Sequence, residues 1–367
     1  MARTRQSAEE YQVRPYRPGD REKFCSLYET VWGRRKDADW FAWRFEANPY
    51  RDGVQMVVAE RDGELVGAEP LLAFRLRIDG SVHEVYQPVD WIVAPDHRRR
   101  GLFTRMTERV LDRFLPEVSL FVNFPNELLL PGLKKFGWRT VGPVGCRYRV
   151  QDTRPFVERA NAEPLPAAAR TAANVGAPLV RAGLDVLDRL SSPPEITVER
   201  SSEVPVDVIR GLYASAQPRA SHFVRDREFL RWRFANPNWE TTSYVAARDG
   251  ETVASIVTAT DTTPHCTLTR LLDIQPMCQR DADPAAFEAA LAAVVDDATD
   301  ADLICGPTGY CPAVFRRYGF YRDDTFPLST VSSTTTHAIR TPDDGHLSTD
   351  LTDPAAWHLT IGDLDVG

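Results

Sequence analysis

The segment from Val89 to Phe103 carries the clearest chemical signal in the sequence. It runs from an apolar strand pattern through the basic turn Arg98–Arg100 to Gly101 and an amphipathic helix pattern. The first turn of a helix leaves backbone N–H groups without partners and carries a partial positive charge, and a glycine there allows close approach to the backbone. This spacing predicts a site for a pyrophosphate group, with guanidinium groups around it.

Carboxylates and phenols near this segment are candidates for proton transfer. Asp90 and Glu84 lie on or beside the predicted strand, and Glu127 lies in the loop after the next one. A positioned carboxylate can take a proton from a reacting group, so these three are candidate general bases, while Tyr86, Tyr148 or water is a candidate acid. For any single carboxylate, the simpler interpretation is solvation or a strand-end hydrogen bond.

The two halves of the chain resemble each other, so the elements that position this segment occur twice. Residues 40–68 and 229–256 share the triplet WRF, the pair NP and the turn RDGE in the same order. The segments KKFGW (residues 134–138) and RRYGF (residues 316–320) follow at a similar separation. Four matches in one order indicate an internal duplication.

The aromatic residues of the two WRF triplets are predicted to pack in a core rather than to form a ligand cage. The core prediction includes Trp40, Trp43 and Trp232. Arg44 and Arg233, at equivalent positions, are predicted to form structural ion pairs or to cap carbonyl groups.

Each half follows one predicted order of elements. An early helix (Arg21–Val31, or Val206–Ala214) precedes a second helical stretch around the triplet and a hairpin with an Asp-Gly turn. A third strand, a helix with an apolar face (Gly101–Phe114, or Pro284–Val295), a short strand and a brief helix complete the unit. This alternation predicts an α/β fold.

We place the domain limits where the composition changes. An N-terminal domain is predicted over residues 11–150, an Ala/Pro-rich linker with a helix over 151–195, and a second domain over 196–340. A tail over 341–367 follows, in which residues 357–365 have the pattern of a strand that returns to a sheet.

At Val89–Phe103 the sequence resembles the GNAT superfamily of N-acetyltransferases. That family holds acetyl-coenzyme A on the loop [QR]-x-x-G-x-[GA], and Arg98 and Gly101 match its first and glycine positions. The resemblance covers most of Val13–Val150 and, more faintly, Ile196–Thr325. It implies two tandem GNAT-like domains, each a mixed, mostly antiparallel twisted sheet flanked by helices.

The resemblance also implies that acetyl-CoA, or another acyl-CoA, binds to the first domain. Phe103 departs from the family's usual Gly or Ala, and Leu133 and Phe315 stand where a tyrosine often serves as the acid. The cofactor is expected to contact the strand end, the loop, the helix start and two asparagines of the next loop, which can also bond the acceptor. These residues are Ile92, Val93, Arg98, Arg99, Arg100, Gly101, Leu102, Phe103, Asn123 and Asn126.

The second half differs at the corresponding loop, Pro276–Pro284. Ala282 falls at the position of Gly101, and aspartates replace arginines. Asp283 followed by Pro284 is a favourable start for a helix, but the carboxylate competes with a phosphate for the same amides. The second domain is therefore predicted to keep the fold without the cofactor and to shape the acceptor site or bury a surface of the first domain.

Composition excludes several classes of function. The net charge of −8 argues against nucleic-acid binding. No stretch approaches a membrane span, and the first residues lack the apolar core of a signal peptide. The six cysteines and seven histidines show no ligand spacing, which predicts free thiols in a reducing compartment and no metal. We expect a cytoplasmic protein.

An N-acyltransferase that moves an acetyl group from coenzyme A to a primary amine fits these observations best. The expected acceptor is a small-molecule amine or an aminosugar, with protein N-termini as a further option; the oligomeric state is left open. A non-catalytic acyl-CoA-binding or regulatory protein is an alternative because of Phe103 and Leu133. A Fem-like aminoacyltransferase is another, although the chain lacks the basic surface that tRNA requires.

Overall fold

A computed structural model of the chain describes residues 11–153, 180–189, 191, 194–277, 282–326, 328–330, 335–343 and 347–365. Within these ranges the chain forms two twisted sheets, of nine and seven strands, each flanked by helices. In the same ranges, no helix is long and apolar enough to cross a membrane, and no group of three or more His, Cys, Asp or Glu side chains is placed to hold a metal ion.

The first sheet collects strands from both halves of the chain. They are β1 (Gln12–Pro15), β2 (Met56–Arg61), β3 (Glu64–Ile78), β4 (Ser81–Pro88), β5 (Ile92–Val93), β6 (Leu120–Asn123), β7 (Arg139–Val144), β10 (His222–Phe223) and β16 (Thr335–Arg340). Their order is β1-β2-β3-β4-β6-β16-β7, and β5 and β10 also pair with β3. The helices of this half are α1 (Arg21–Trp32), α2 (Ala38–Phe41, continued by a wide turn at Ala42–Glu46), α3 (Leu102–Phe114) and α4 (Leu130–Lys134).

The second sheet has the order β15-β8-β14-β13-β12-β11-β9. Its strands are β8 (Cys146–Val150), β9 (Thr197–Ser201), β11 (Glu240–Arg248), β12 (Glu251–Thr263), β13 (Cys266–Gln275), β14 (Leu303–Pro307) and β15 (Tyr321–Arg322). Its half contains α5 (180–189), α6 (Val206–Ser215), α7 (Arg227–Arg233), α8 (Pro284–Asp297) and α9 (Pro312–Arg317).

The two sheets exchange one strand each. β16, from the second half, lies between β6 and β7 of the first sheet. β8, from the first half, occupies the equivalent place between β14 and β15 of the second sheet. Each sheet also has one parallel pair at the same point of the order, β4 with β6 and β13 with β14. The sheets therefore share one topology and depend on each other for completion.

Local sequence explains the elements that were predicted correctly. The hairpin turns have positive φ at both central residues, at Asp62-Gly63 and Asp249-Gly250, which Asp-Gly accommodates. Asp283 begins α8 as predicted, because its carboxylate accepts hydrogen bonds from the backbone N–H groups of Ala285 and Ala286 at 3.0 and 3.2 Å. The apolar face of α3 is buried, with Met106 against Gly67 of β3.

The two WRF triplets pack against each other across the middle of the molecule. The Trp43 indole N–H donates to the Trp232 carbonyl at 2.7 Å, and the Trp232 indole N–H donates to the Trp43 carbonyl at 2.8 Å. The two rings are stacked with centroids 6.2 Å apart. Trp40, Trp43 and Trp232 are all buried in one core that contains residues of both halves, which confirms the core prediction.

Two expectations about the chain's path are wrong. Residues 357–365 do not form a strand; they contain the 3-10 turn Ile361–Asp363, and the strand that returns to the first sheet is β16. Tyr148 lies on β8 in the second sheet, opposite Cys305, and so is absent from the first sheet. Of the second-half loop, residues 278–281 lie outside the described part of the chain.

Candidate active site

The first sheet opens where β4 gives way to β5. β3 continues without interruption, with Leu71 opposite Pro88 and Ala68 opposite Ile92. The Val89 N–H still donates to the Pro70 carbonyl at 3.0 Å, so the bulge consists of Asp90 and Trp91. Asp90, in the bulge, has φ of 45°. The parallel neighbour β6 pairs with β4 only before this point. An opening therefore lies beside the carboxyl ends of two parallel strands, where α/β folds commonly bind ligands.

The basic loop before α3 presents backbone N–H groups to this opening. Arg99 and Gly101 have φ of 59° and 78°, and the first helical hydrogen bond runs from Arg105 to Gly101. Among the described residues, no acceptor is bonded to the N–H groups of residues 99–104. A Cβ on Gly101 would meet no atom within 4 Å, so the space in front of it is open. Such a concave set of N–H groups suits a phosphate.

A cavity of about 410 Å³ lies against this loop. The loop arginines are exposed, and Arg98 donates through Nε to the Val93 carbonyl at 3.1 Å. The loop thus combines the backbone donors and positive charges that a pyrophosphate group requires. The residues that line the cavity are Val93, His97, Arg98, Arg99, Gly101, Leu102 and Phe103.

Phe103 occupies space beside the loop, at the edge of this cavity. Its ring lies 5.5 Å from the Trp91 ring and 6.0 Å from the Phe136 ring, centroid to centroid. A Cβ on Gly132 would lie 3.1 Å from the Phe103 ring. The aromatic side chain at this position therefore fills space that the family's Gly or Ala leaves free.

Asp90 is held by a buried arginine. Arg44 Nε donates to Asp90 Oδ2 at 2.7 Å, and Arg44 also bonds Asp365. Burial raises the pKa of Asp90 to about 6, although Arg44 acts in the opposite direction. The ion pair predicted for Arg44 is confirmed, and the carboxyl it holds changes charge close to neutral pH.

Arg233 caps backbone carbonyl groups, which is the second of the two contacts predicted for Arg44 and Arg233. Its Nε and Nη2 atoms donate to the carbonyl oxygens of Gly362 and Leu364, at 2.9 and 3.0 Å. These bonds fix the segment that precedes Asp365. The two equivalent arginines therefore bring the C-terminal segment to Asp90.

Glu84 and Tyr86 precede the break and do not reach the opening. Glu84 is exposed and pairs with Arg51 at 2.9 Å. Tyr86 is fully buried between the Phe114 and Phe121 rings, and burial raises the pKa of its hydroxyl. Within the described structure that hydroxyl has no hydrogen-bond partner.

The asparagines at and after the end of β6 accept hydrogen bonds from neighbouring backbone N–H groups through their side-chain oxygens. Asn123 Oδ1 accepts from the Phe124 N–H at 2.6 Å. Asn126 Oδ1 accepts from the N–H groups of Leu128 and Leu129, at 3.1 and 2.9 Å. Glu127 lies exposed on the same turn. These contacts shape the loop that faces the opening.

Glu69 is a carboxyl that sequence reasoning missed. It lies on β3 opposite the bulge and is completely buried. Burial raises the pKa of Glu69 well above its usual range, and the hydrogen bond from the Thr107 hydroxyl at 3.1 Å only partly offsets this. Its signal was a lone acid inside an apolar strand, LVGAEPLLAF, a position where a charged group requires a special environment.

Among the described residues of the second half, the start of α8 is occupied by a side chain of the chain itself. The first-turn N–H groups of α8 already bond the carboxylate of Asp283, which also pairs with Arg248 at 2.6 Å. Leu133 and Phe315, the equivalents of the family's tyrosine acid, are both fully buried. Neither side chain can donate a proton.

The chain is similar to known acetyltransferases and acyltransferases. The family model of the acetyltransferase (GNAT) domain matches residues 12–141. A probable N-acyltransferase of Enterococcus faecalis has a TM-score of 0.59 and 10% identity, covering 90% of this chain and 72% of its own. A GCN5-related N-acetyltransferase of Anabaena variabilis has a TM-score of 0.57 and 10% identity, covering 90% of this chain and 72% of its own.

A eukaryotic enzyme has the same fold. The N-myristoyltransferase of Saccharomyces cerevisiae, solved with bound myristoyl-CoA, has a TM-score of 0.58 and 11% identity, covering 90% of this chain and 79% of its own. At such identities the likeness concerns the fold alone. Comparison of the sequence with curated proteins gave no match.

Proposed function

Residues 12–141 form a domain of the GNAT acetyltransferase family, and on that premise we propose that the protein is an acyl-CoA-dependent N-acyltransferase that acetylates a primary amine. The observation that carries this proposal is the loop before α3, with unbonded N–H groups from Arg99 to Thr104 and open space in front of Gly101. A pyrophosphate needs such a site, and exposed arginines beside it add attraction.

In the proposed reaction Asp90 accepts a proton from the amine substrate. When bound, the acyl-CoA supplies a thioester whose carbonyl carbon an unprotonated amine can attack. The substrate ammonium first gives one proton to a base and becomes the amine. After this amine attacks, the nitrogen–carbon bond forms, the carbon–sulfur bond breaks, and the one further proton that the nitrogen loses goes to the departing sulfur. Asp90 lies in the bulge and has a pKa raised to about 6, so it is ionised at neutral pH yet basic enough to accept a proton.

We take acetyl as the transferred group. The family model that matches residues 12–141 describes an acetyltransferase domain, which favours an acetyl donor. The N-myristoyltransferase among the similar folds makes a long-chain donor the natural comparison in the experiment.

The experiment is a calorimetric titration of acetyl-CoA into the wild type and Gly101→Glu. A carboxylate in the loop repels the pyrophosphate, so we expect the affinity to fall at least about 100-fold, or about 2.7 kcal/mol. Gly80→Glu is the matched control: Gly80 has φ of 80°, like the 78° of Gly101, and also faces open space, but lies in the β3–β4 turn. It should bind as the wild type does. Absence of acetyl-CoA binding by the wild type would overturn the proposal.

A second measurement separates catalysis from binding. Release of free coenzyme A thiol is followed with a panel of primary amines, using acetyl-CoA and myristoyl-CoA as donors. Turnover with acetyl-CoA supports the proposal. Binding without turnover of any amine would favour a non-catalytic acyl-CoA-binding protein, the function to which the buried Leu133 points.

A further inference from the structure

A second cavity lies between the two halves, on the other side of Arg44 from Asp90. This interdomain pocket has a volume of about 510 Å³. The loop after α1 forms one wall and residues of the second half form the others, including the turn between β12 and β13. Its principal lining residues are Arg34, Arg35, Lys36, Asn236, Trp239 and Arg270.

The charge of the interdomain pocket is positive. Four basic side chains line it, and the two acidic ones are Asp261 and Asp365. Arg44 shares its single positive charge between Asp365 and Asp90, so the lining residues themselves carry four basic against two acidic side chains. Among the described residues, no carboxylate pairs with Arg34, Arg35 or Arg270, although the chain as a whole is acidic. A cluster of unpaired cations in a cleft attracts an anion.

The internal repeat supplies a comparison within the same molecule. In the first half, the Nδ2 group of Asn48 donates to the Ala73 carbonyl at 3.0 Å. Asn236 is its equivalent in the second half and is buried, with only 4% of its surface exposed. The Asn236 Nδ2 group has no partner among the described residues, and the Arg270 Nη1 group is likewise buried without one.

Buried donors without acceptors are costly unless a ligand satisfies them. Asn236 makes the same local hydrogen bond as Asn48. Its Oδ1 atom accepts from the Asn238 backbone N–H at 3.0 Å, and Asn48 Oδ1 accepts from the Tyr50 backbone N–H. Only the Nδ2 donor differs between the two copies, since it has a partner in Asn48 and none among the described residues in Asn236. That donor lines the positively charged pocket.

We propose that the interdomain pocket binds an oxyanion carried by the amine acceptor, a carboxylate or a phosphate. The inference rests on the proposed function, and it narrows the acceptor to anionic primary amines such as amino acids or phosphorylated aminosugars. Arg44 connects the two sites, since its guanidinium bonds Asp90 on one side and Asp365, a pocket residue, on the other. The anion is held at one end while the amine lies near Asp90.

Direct anion binding tests the pocket without requiring turnover. Inorganic phosphate and acetate are titrated calorimetrically into Gly101→Glu, where the loop before α3 no longer offers an anion site. Two further variants are made in this background: Arg35→Glu, and Asn236→Asp, which keeps the oxygen that accepts from Asn238. Each should weaken the binding of at least one anion by about tenfold or more. Arg219→Glu is the matched control, because Arg219 is exposed and outside the pocket.

Acceptor selectivity is the second readout. In the wild type, kcat/KM is compared between an amino acid and its amide, and between an aminosugar phosphate and the free aminosugar. We expect the anionic member of at least one pair to be preferred about tenfold or more, and Arg35→Glu to abolish that preference; the pair affected identifies carboxylate or phosphate. Equal anion affinity in all the variants, or a preference that Arg35→Glu leaves intact, would overturn the inference. Failure of acetyl-CoA to bind would overturn the proposed function instead.

Discussion

Asp90 combines a left-handed backbone conformation with burial against a guanidinium group. A non-glycine residue with φ of 45° is strained, and such strain persists where the surrounding structure holds it. Arg44, itself only 1% exposed, provides that support by bonding both Asp90 and Asp365. Backbone and ion pair together hold the carboxyl against the Arg44 guanidinium.

The ionisation of Asp90 is expected to control the lower limb of the pH–rate profile. Below its pKa of about 6 the carboxyl is neutral and cannot accept a proton, so kcat/KM should rise as pH increases through 6. Asp90→Asn should lower kcat/KM by about 10²–10⁴-fold and remove this limb. Glu84→Gln removes an exposed carboxylate on β4, before the bulge that holds Asp90, and should leave the limb in place. A limb that persists in Asp90→Asn would assign the titration to another group.

Sequence reasoning at the residue scale succeeded where a residue acts through local chemistry. The roles of Arg44 and Arg233 followed from their repeated position. Tyr148 was misplaced because β8 crosses to the other sheet, which no local pattern records. Glu69 was missed because its raised pKa depends on burial beneath α3, a tertiary effect.

At the scale of elements, α7 and the turn that continues α2 are joined by two reciprocal hydrogen bonds. Each indole N–H of the Trp43–Trp232 pair donates to the other residue's carbonyl oxygen. Both side chains are buried, at 6% and 5% exposure, so water cannot replace a lost donor. The pair therefore couples equivalent elements of the two halves.

Trp43→Phe and Trp232→Phe should each lower the free energy of unfolding by about 1–3 kcal/mol, since each leaves a buried carbonyl without its donor. The double variant should deviate from additivity by about 0.5 kcal/mol or more, because the rings are in contact. Urea unfolding of the four proteins measures this. Trp32→Phe, at a 52% exposed position, should change stability by less than about 0.5 kcal/mol. Strict additivity would show that the two bonds act independently.

Elements with strong local signals were predicted closely. The four helices specified by residue range begin and end within two residues of their predicted limits, because apolar periodicity and caps mark them. The break between β4 and β5 was not predicted, since an apolar run does not reveal a bulge. β16 was overlooked because its Ser/Thr-rich surroundings resemble a loop.

At the scale of the whole molecule, a buried ionic cluster ties the C-terminal segment to the second sheet. Arg225 is completely buried and pairs with Asp273 of β13 and with Asp363, the latter at 2.8 Å. It also donates to the Thr360 hydroxyl at 2.7 Å. The cluster fixes the segment that carries Asp365 to Arg44.

Arg225→Met should therefore be strongly destabilising. It leaves two carboxylates buried without a counter-charge, and we expect a loss of about 3–5 kcal/mol in the free energy of unfolding. Arg200→Met is the matched control: its side chain is 62% exposed in the pair with Asp297, so the loss should be at most about 1 kcal/mol. Guanidinium unfolding provides the comparison. Equal losses in the two variants would mean that burial does not set the strength of the cluster.

The exchange of β8 and β16 also has a consequence during synthesis on the ribosome. β6 and β7 emerge early, but the strand that separates them in the first sheet is translated only with residues 335–340. At ordinary elongation rates this delay after β6 is on the order of 10–40 s. During that interval the nascent chain exposes facing edges of β6 and β7, where another strand can pair. The first sheet is therefore completed long after β6 and β7 have been made, and a cell that produces this protein has to protect those edges until β16 has been translated.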